Sequence, residues 1–233
     1  MMRKVLRIHR RCCSRSVFIA QGILLLVISL PALCQQAATV TYTQDFPGSD
    51  PSHYRVSISS DGHAAYEGNG KLISVASYAS DDSVPDSEQL EFTASPSLIA
   101  KIFDLAKQAH YFQGELNNKK RNLAFTGKKT LTYVDAERNT SATYNYPALP
   151  EVMELTRIFQ NLSSTLEFGR RLEYCHRYQK LALDQETKRM EDSARSDALE
   201  EMSAIAPILQ KIIDDRSVIN VVRARAQKLL NGK

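Results

Sequence analysis

The feature that most restricts the fold of this chain is a change of periodicity at Pro150. From Tyr54 to Tyr146 apolar and polar residues alternate in short runs broken by glycine, asparagine and aspartate. From Glu151 onward the apolar residues recur at three- and four-residue steps, as at Leu155, Phe159, Leu162 and Leu166. No proline follows until Pro207, and Gly169 is the only glycine before Gly232. A two-residue period buries one face of a strand, and a 3.6-residue period buries one stripe of a helix. Strands followed by helices predict an α+β fold: an antiparallel β-meander with a packed helix, then a long helix and a helical C-terminal hairpin.

The strand region can be read in detail. Tyr54-Arg55-Val56-Ser57-Ile58-Ser59 and His63-Ala64-Ala65-Tyr66-Glu67 flank Asp61-Gly62, a hairpin signal in which both turn positions are expected at positive φ. Gly68-Asn69-Gly70 predicts the next turn, Lys71–Tyr78 the next strand, and Gln89–Thr93 a further one after a polar loop. Ser95-Pro96 reads as an N-cap and first helical residue, with a helix running to about Phe112. Strands are expected at Lys129–Val134 and Ser141–Tyr146, with a short one at 122–125. Residues 35–53 read as a lead-in or linker, with a possible strand at Ala38–Tyr42. The long helix is expected from Glu151 into the 190s, bent near Gly169, with Glu167/Arg171, Glu173/Arg177 and Asp184/Lys188 as four-apart pairs. Its second half, Tyr174–Arg195, is polar on most sides and is expected to bridge head and tail or to meet a partner. Helices at about 197–214 and 217–230 complete the chain. The predicted organisation is 1–34, 35–53, 54–149 and 150–233.

The N-terminus carries an export pattern. Arg3, Lys4, Arg7, Arg10, Arg11 and Arg15 precede an uncharged run from Val17 to Leu33. A basic segment, an apolar segment and small residues at its end make a secretory signal. Ala32 and Cys34 stand at −3 and −1 for cleavage after Cys34. The run is also long enough to persist as a membrane anchor, for which roughly 17–25 residues are needed. Acylation of Cys34 is a third reading, opposed by the bulky Leu33. The expected location is periplasmic or secreted, with membrane contact only through residues 17–33.

That signal also explains the charge. The chain has 30 Lys+Arg and 26 Asp+Glu; without the six N-terminal cations, 24 face 26. The remainder is near neutral, which removes the basic footprint a nucleic-acid partner requires. Beyond Cys34 only Cys175 remains, so no internal disulfide can form there.

Few residues group in a way that suggests chemistry. His53, His63, His110 and His176 are scattered, and no paired-cysteine or His-x-x-x-His spacing supports a metal site. Cys175-His176 point about 100° apart on a helix. No Gly-x-Ser-x-Gly elbow is present; the serines at 57–60 and 74–83 lie in alternating strands and polar loops. Gly68-Asn69-Gly70-Lys71 and Phe125-Thr126-Gly127-Lys128-Lys129 lack the spacing of a phosphate cradle. Lys119-Lys120-Arg121 with Lys128-Lys129 reads as a solvated basic patch. Asp81-Asp82 and Asp214-Asp215 are adjacent acids without calcium-loop spacing. No catalytic, cofactor or metal residue is therefore assigned.

Two resemblances add to this reading. The segments YRVSISSDGHAAYEG, SPSLIAKIFDLAKQAHYF, FTGKKTLTYVD and PEVMELTRIFQ, within residues 54–172, are similar to a family of exported bacterial domains of unknown function. The resemblance implies a strand-rich head, a Ser-Pro helix, a glycine-centred hairpin and a closing helix in an exported protein, and it brings no catalytic residues. Ala204–Leu230 weakly resembles a single HEAT-type helical hairpin through Pro207, Asp214-Asp215, Val222-Arg223, Ala226 and Leu229. Such repeats bury a core only in about three or more copies, and no second copy is found, so an ordinary helical pair is the simpler expectation. The function expected from the sequence is a non-catalytic interaction or scaffold module of the envelope, partnered through the 150–195 helix. An envelope hydrolase with a spatially assembled site and a small-ligand carrier are the alternatives.

Overall fold

The computed structural model describes residues 37–72, 88–120 and 123–232. The export segment with Ala32 and Cys34, most of the expected Lys71–Tyr78 strand, and Asp81-Asp82 lie outside these residues.

The described residues form one compact unit, built as an α+β fold. Among the described residues, six antiparallel strands, β1 (Thr39–Asp45), β2 (His53–Ser59), β3 (His63–Gly68), β4 (Glu88–Thr93), β5 (Lys128–Val134) and β6 (Asn139–Tyr144), pair in the order β4-β3-β2-β1-β5-β6. The segment expected as a lead-in thus supplies an interior strand. Thr41 faces Ser57 of β2 on one side and Thr132 of β5 on the other. In β1 the alternation is carried by Val40, Tyr42 and the polar Gln44, all on the buried face. Its pairing with β5 joins residues about ninety positions apart, which local pattern does not reveal.

Two helices, α1 (Pro96–Gln108) and α2 (Pro150–Tyr178), lie on one face of the sheet. That face presents Val40, Tyr42, Tyr54, Val56, Ile58, Tyr66, Leu131, Tyr133 and Tyr144, all buried. Tyr42 stacks on Phe159 of α2 at 5.2 Å, 1° from parallel. The opposite face carries the other phase of each strand. There hydroxyls meet across strands, Thr41 with Ser57, Thr130 with Thr143 and Thr132 with Ser141, each at 3.1 Å.

The Asp61-Gly62 hairpin forms with a different turn from the one expected. Only Gly62 has positive φ, at +95°, and its N–H donates to Ser59 O at 3.0 Å. This matches a type I turn followed by a left-handed glycine. Ser95 caps α1 as predicted, accepting from the Leu98 N–H. The helix stops at Gln108, short of Phe112, because His110, Tyr111 and Phe112 all adopt left-handed φ, between 52° and 62°. Left-handed turns cost L-residues roughly 1–2 kcal/mol each. Here burial of Phe112, packing of the Tyr111 ring on Tyr133 at 4.7 Å, and Arg138 over that ring at 4.6 Å oppose the cost.

The long helical stretch breaks at Gln179 (φ −143°, ψ 61°) instead of bending near Gly169. A 3-10 turn at Lys180–Ala182 leads into α3 (Leu183–Arg195). Gly169 permits close packing instead, since a Cβ there would sit 2.5 Å from Ile205 Cγ2. Next come α4 (Ala206–Asp214) and α5 (Asn220–Leu230), packed on each other, with α4 also against α2 and α5 against α3. Leu183, Glu186, Thr187 and Met190 of α3 are buried, so one side of the polar half of the helical stretch is covered by the chain itself. The connecting segment runs back to the head. Asp197 O accepts from Asn161, the Glu200 N–H donates to Thr165 Oγ1, and the Glu201 carboxylate accepts from both the N–H and the hydroxyl of Ser95.

The expected four-apart pairs are replaced by others. Glu167 pairs with Arg170 at 2.8 Å, Arg171 with Glu186 at 3.1 Å, Glu173 with Lys211 at 3.4 Å and Asp184 with Arg225 at 2.9 Å. Three of these four reach between elements, since a charge turned toward a neighbouring helix finds its partner there.

Candidate functional site at the Lys129 corner

The histidines do not assemble a catalytic group. His63 and His110 are exposed. His53 Nδ1 lies 2.5 Å from Asp45 Oδ1, while the neighbouring Ser52 hydroxyl accepts from Asn69. His176 meets Asp215 at 3.0 Å, and Ser217 is close by. Its hydroxyl donates to Asp215 at 2.6 Å and accepts from Lys180 at 2.5 Å. The carboxylate therefore stands between histidine and serine, whereas nucleophilic catalysis needs base and nucleophile in direct contact. Lys180 also donates to Asp215 at 2.7 Å. Its ammonium, with Ser217, keeps the Asp215 carboxyl well below the usual range. Asp214 instead takes the amide of Gln210, so the adjacent acids diverge. Cys175 is buried, and desolvation pushes its thiol up to about 11. Among the described residues no group of three or more His, Cys, Asp or Glu side chains could hold a metal ion. No helix among them is long and apolar enough to cross a membrane.

The sheet–helix seam is closed by polar groups satisfying one another. Gln44 Oε1 accepts from Tyr42 (2.7 Å), Tyr54 (3.1 Å) and Gln160 (2.9 Å). Tyr144 and Thr156 share a bond of 2.6 Å, and Tyr66 donates to Glu167 at 2.6 Å. Burial drives the hydroxyl pKa values of Tyr42, Tyr54, Tyr66 and Tyr144 upward, so all four stay neutral. The Glu167–Arg170 pair lies in the core beside Gly70, where an added Cβ would collide with the Glu167 carboxylate. This seam holds the fold together.

One corner differs. The loop 123–127 and the end of β6 meet the first turns of α2, and Lys129 sits beneath them. The sequence pattern placed Lys129 in a solvated patch; the structure buries it to 3% exposure. Its position in β5 is the reason. Lys129, Leu131 and Tyr133 share one phase, and that phase faces the core. Lys128, in the other phase, is exposed. The alternation itself was the signal for burial. Nζ donates to Thr126 O at 2.8 Å, Thr126 Oγ1 at 2.9 Å and Asn145 O at 3.0 Å, with Gly127 O at 3.3 Å. Every acceptor is neutral, and desolvation lowers the ammonium pKa. Gly127 (φ +96°) allows this loop to fold over Phe46, which a Cβ at 127 would approach to 2.8 Å.

Above Lys129 an open cavity of about 340 Å³ lies between Thr126, Asn145, Tyr146 and Pro147 on one side and Met153, Thr156, Arg157 and Gln160 of α2 on the other. Tyr146 and Met153 are exposed, Met153 to 51%. Phe125, beside Thr126, is 61% exposed, with its ring edge-on to Phe46 at 6.0 Å. A second set of exposed apolar residues, Tyr178, Leu181, Ile219 and Val221, borders the Lys180–Asp215 clasp. No family model matches this chain, and no curated protein matches it.

Proposed function

We propose that this chain is an exported, non-catalytic interaction module of the cell envelope, and that it meets its partner at the Lys129 corner. The observation that carries the reading is that exposed Tyr146 and Met153 line one open cavity, with exposed Phe125 next in sequence to Thr126 of its wall. Clustered exposed aromatic and methionine side chains mark contact surfaces, whereas scattered ones need no explanation. Met153 and Arg157 belong to the 150–195 stretch from which a partner surface was expected, and the proposed surface uses its first turns, in α2. The basic N-terminal segment and the apolar run to Leu33 support export.

The test places a photo-crosslinking phenylalanine analogue at position 146 and, as a control, at position 132 on the open sheet face, in cells that make the protein. A discrete adduct at 146 that is absent at 132, and lost in the Phe125→Ser/Met153→Ser variant, is the expected result. Equal adducts at both positions, or none at 146, would overturn the reading. Mass spectrometry of the exported N-terminus decides between cleavage after Cys34, retention and acylation.

A further inference from the structure

We propose that the Lys129 cavity receives a carboxylate side chain from an acidic–apolar segment of a partner protein, whose neighbouring apolar residue seats on Tyr146 and Met153. This occupant rests on the reading of the corner as the contact surface.

The first support is an unbalanced charge. A buried ammonium is normally paired with a carboxylate, because desolvation of an isolated ion is costly. Lys129 is buried, and among the described residues no carboxylate lies within ion-pair distance of it. Neighbouring acids are committed elsewhere. Glu154 pairs with Lys101 at 2.7 Å and Arg157 at 2.8 Å. Asp45, in the outward phase of β1, pairs with His53. Four neutral oxygens surround three ammonium protons, and the contact to Gly127 O is the longest. The three shorter bonds already engage the three protons, so an incoming carboxylate oxygen shares or replaces one of these neutral acceptors. Charge-assisted bonds of this kind are about twice as strong as neutral ones.

The second support is shape. The cavity opens to solvent beside Lys129, and its rim is apolar through Tyr146, Pro147 and Met153. One cation suits one carboxylate; a phosphate would need more positive charge, and Arg157 is already engaged by Glu154. Sites for small molecules commonly enclose roughly 70–90% of the ligand. This cavity is open and its rim carries the exposed Tyr146 and Met153, which fits a chain with a neighbouring apolar residue better than a free acid.

Three probes test the inference on the full chain by amide NMR: N-acetyl-Leu-Glu-Leu-amide, its glutamine counterpart, and 4-methylpentanoate. The Glu peptide is expected to shift the amides of Thr126–Lys129, Asn145, Tyr146 and Met153–Arg157, with the Gln peptide about tenfold weaker. In lysine-labelled protein the Glu peptide should move the Lys129 titration to higher pH, and the Gln peptide should not. Equal binding of the two peptides, or an unmoved Lys129 titration, overturns the proposal. Equal binding of 4-methylpentanoate and the Glu peptide overturns the protein source in favour of a small acid. Lys129→Met should abolish the preference for Glu; if that variant does not fold, the Lys129 titration in the unaltered chain still decides. A persisting crosslink at position 146 together with failed peptide binding would sink the carboxylate and leave the contact surface standing.

Discussion

The two halves of the molecule are joined to α2 by different chemistry. The sheet meets it through aromatic packing and neutral hydroxyl and amide bonds, with one ion pair, Glu167–Arg170, at the far end of the seam. The C-terminal helices bury Leu183, Met190, Leu209, Ile212, Val222 and Leu229, and charge laces the rim of that core. Glu186 holds Arg171 and Arg189, Glu191 holds Arg195, Arg225 and Lys228, and Asp215 holds His176 and Lys180. Most of these partners reach solvent, where ion pairs contribute little and are screened by salt. The contrast teaches that one helix can carry a water-independent seam on one side and a condition-sensitive seam on the other.

The largest test of that contrast is deletion of an aromatic anchor. Phe159→Ala should cost about 3–5 kcal/mol, since the ring is buried and stacked on Tyr42. Leu209→Ala in α4 should cost about 2–5 kcal/mol. Both should lower the urea midpoint of one shared transition; two separate transitions would break the view of α2 as a common wall. Next comes Glu167→Ala, expected to cost about 3 kcal/mol because it removes the buried carboxylate that Arg170 and the Tyr66 hydroxyl both donate to. A loss below about 1 kcal/mol in the same assay would show that the pair contributes little. Gly169→Ala should be destabilising by about 1–2 kcal/mol although alanine is the better helix former, because the new methyl meets Ile205. A rise in melting temperature would mean that Ile205 yields freely.

Acid and salt should separate the halves with the smallest effects. Asp215 and Glu191 have carboxyl pKa values lowered chiefly by Lys180 and Lys228. A depressed folded-state value adds stability above the ordinary carboxylate range and loses it as pH falls through the folded value. Glu154, held at about 2 by Arg157 and then Lys101, does the same for the α1–α2 contact, between its usual value and about pH 2. Lowering pH, or adding salt to about 1 M, should speed amide exchange in α5 before β1. Simultaneous loosening of both would remove the distinction.

The sequence made the strand phases, the Ser95 cap and the turn to helix at Pro150 legible, because each is written in residues close together. It hid what depends on distant neighbours. Asn, Gly and Pro are absent at the Gln179 break, and the left-handed turn at His110–Phe112 contains no glycine; there the burial of Phe112 and the packing of Tyr111 on Tyr133 hold the turn. Lys129 looks solvated in the sequence because its charge outweighs its phase. Glu167 and Arg170 follow Ser163 along one side of α2, but helical spacing alone does not say which polar side a sheet will cover. Exposed Tyr146 and Met153 lie far from Lys129 in sequence, so the corner exists only once β5, β6 and α2 have met.

The place of β1 sets an order of events during synthesis. A chain made from its N-terminus can zip β1 to β2 and β2 to β3 early, since those partners follow closely. The other edge of β1 must wait for β5, with Asp45 and Lys128 at one end of the ladder. Closing so long a loop is slow relative to local pairing. Until then a row of unpaired backbone groups in the middle of the future sheet is open to foreign strands. The threonine-rich sequence of β1, TVTYTQD, carries little apolar surface on its outward phase, which makes that waiting edge a poor seed for aggregation.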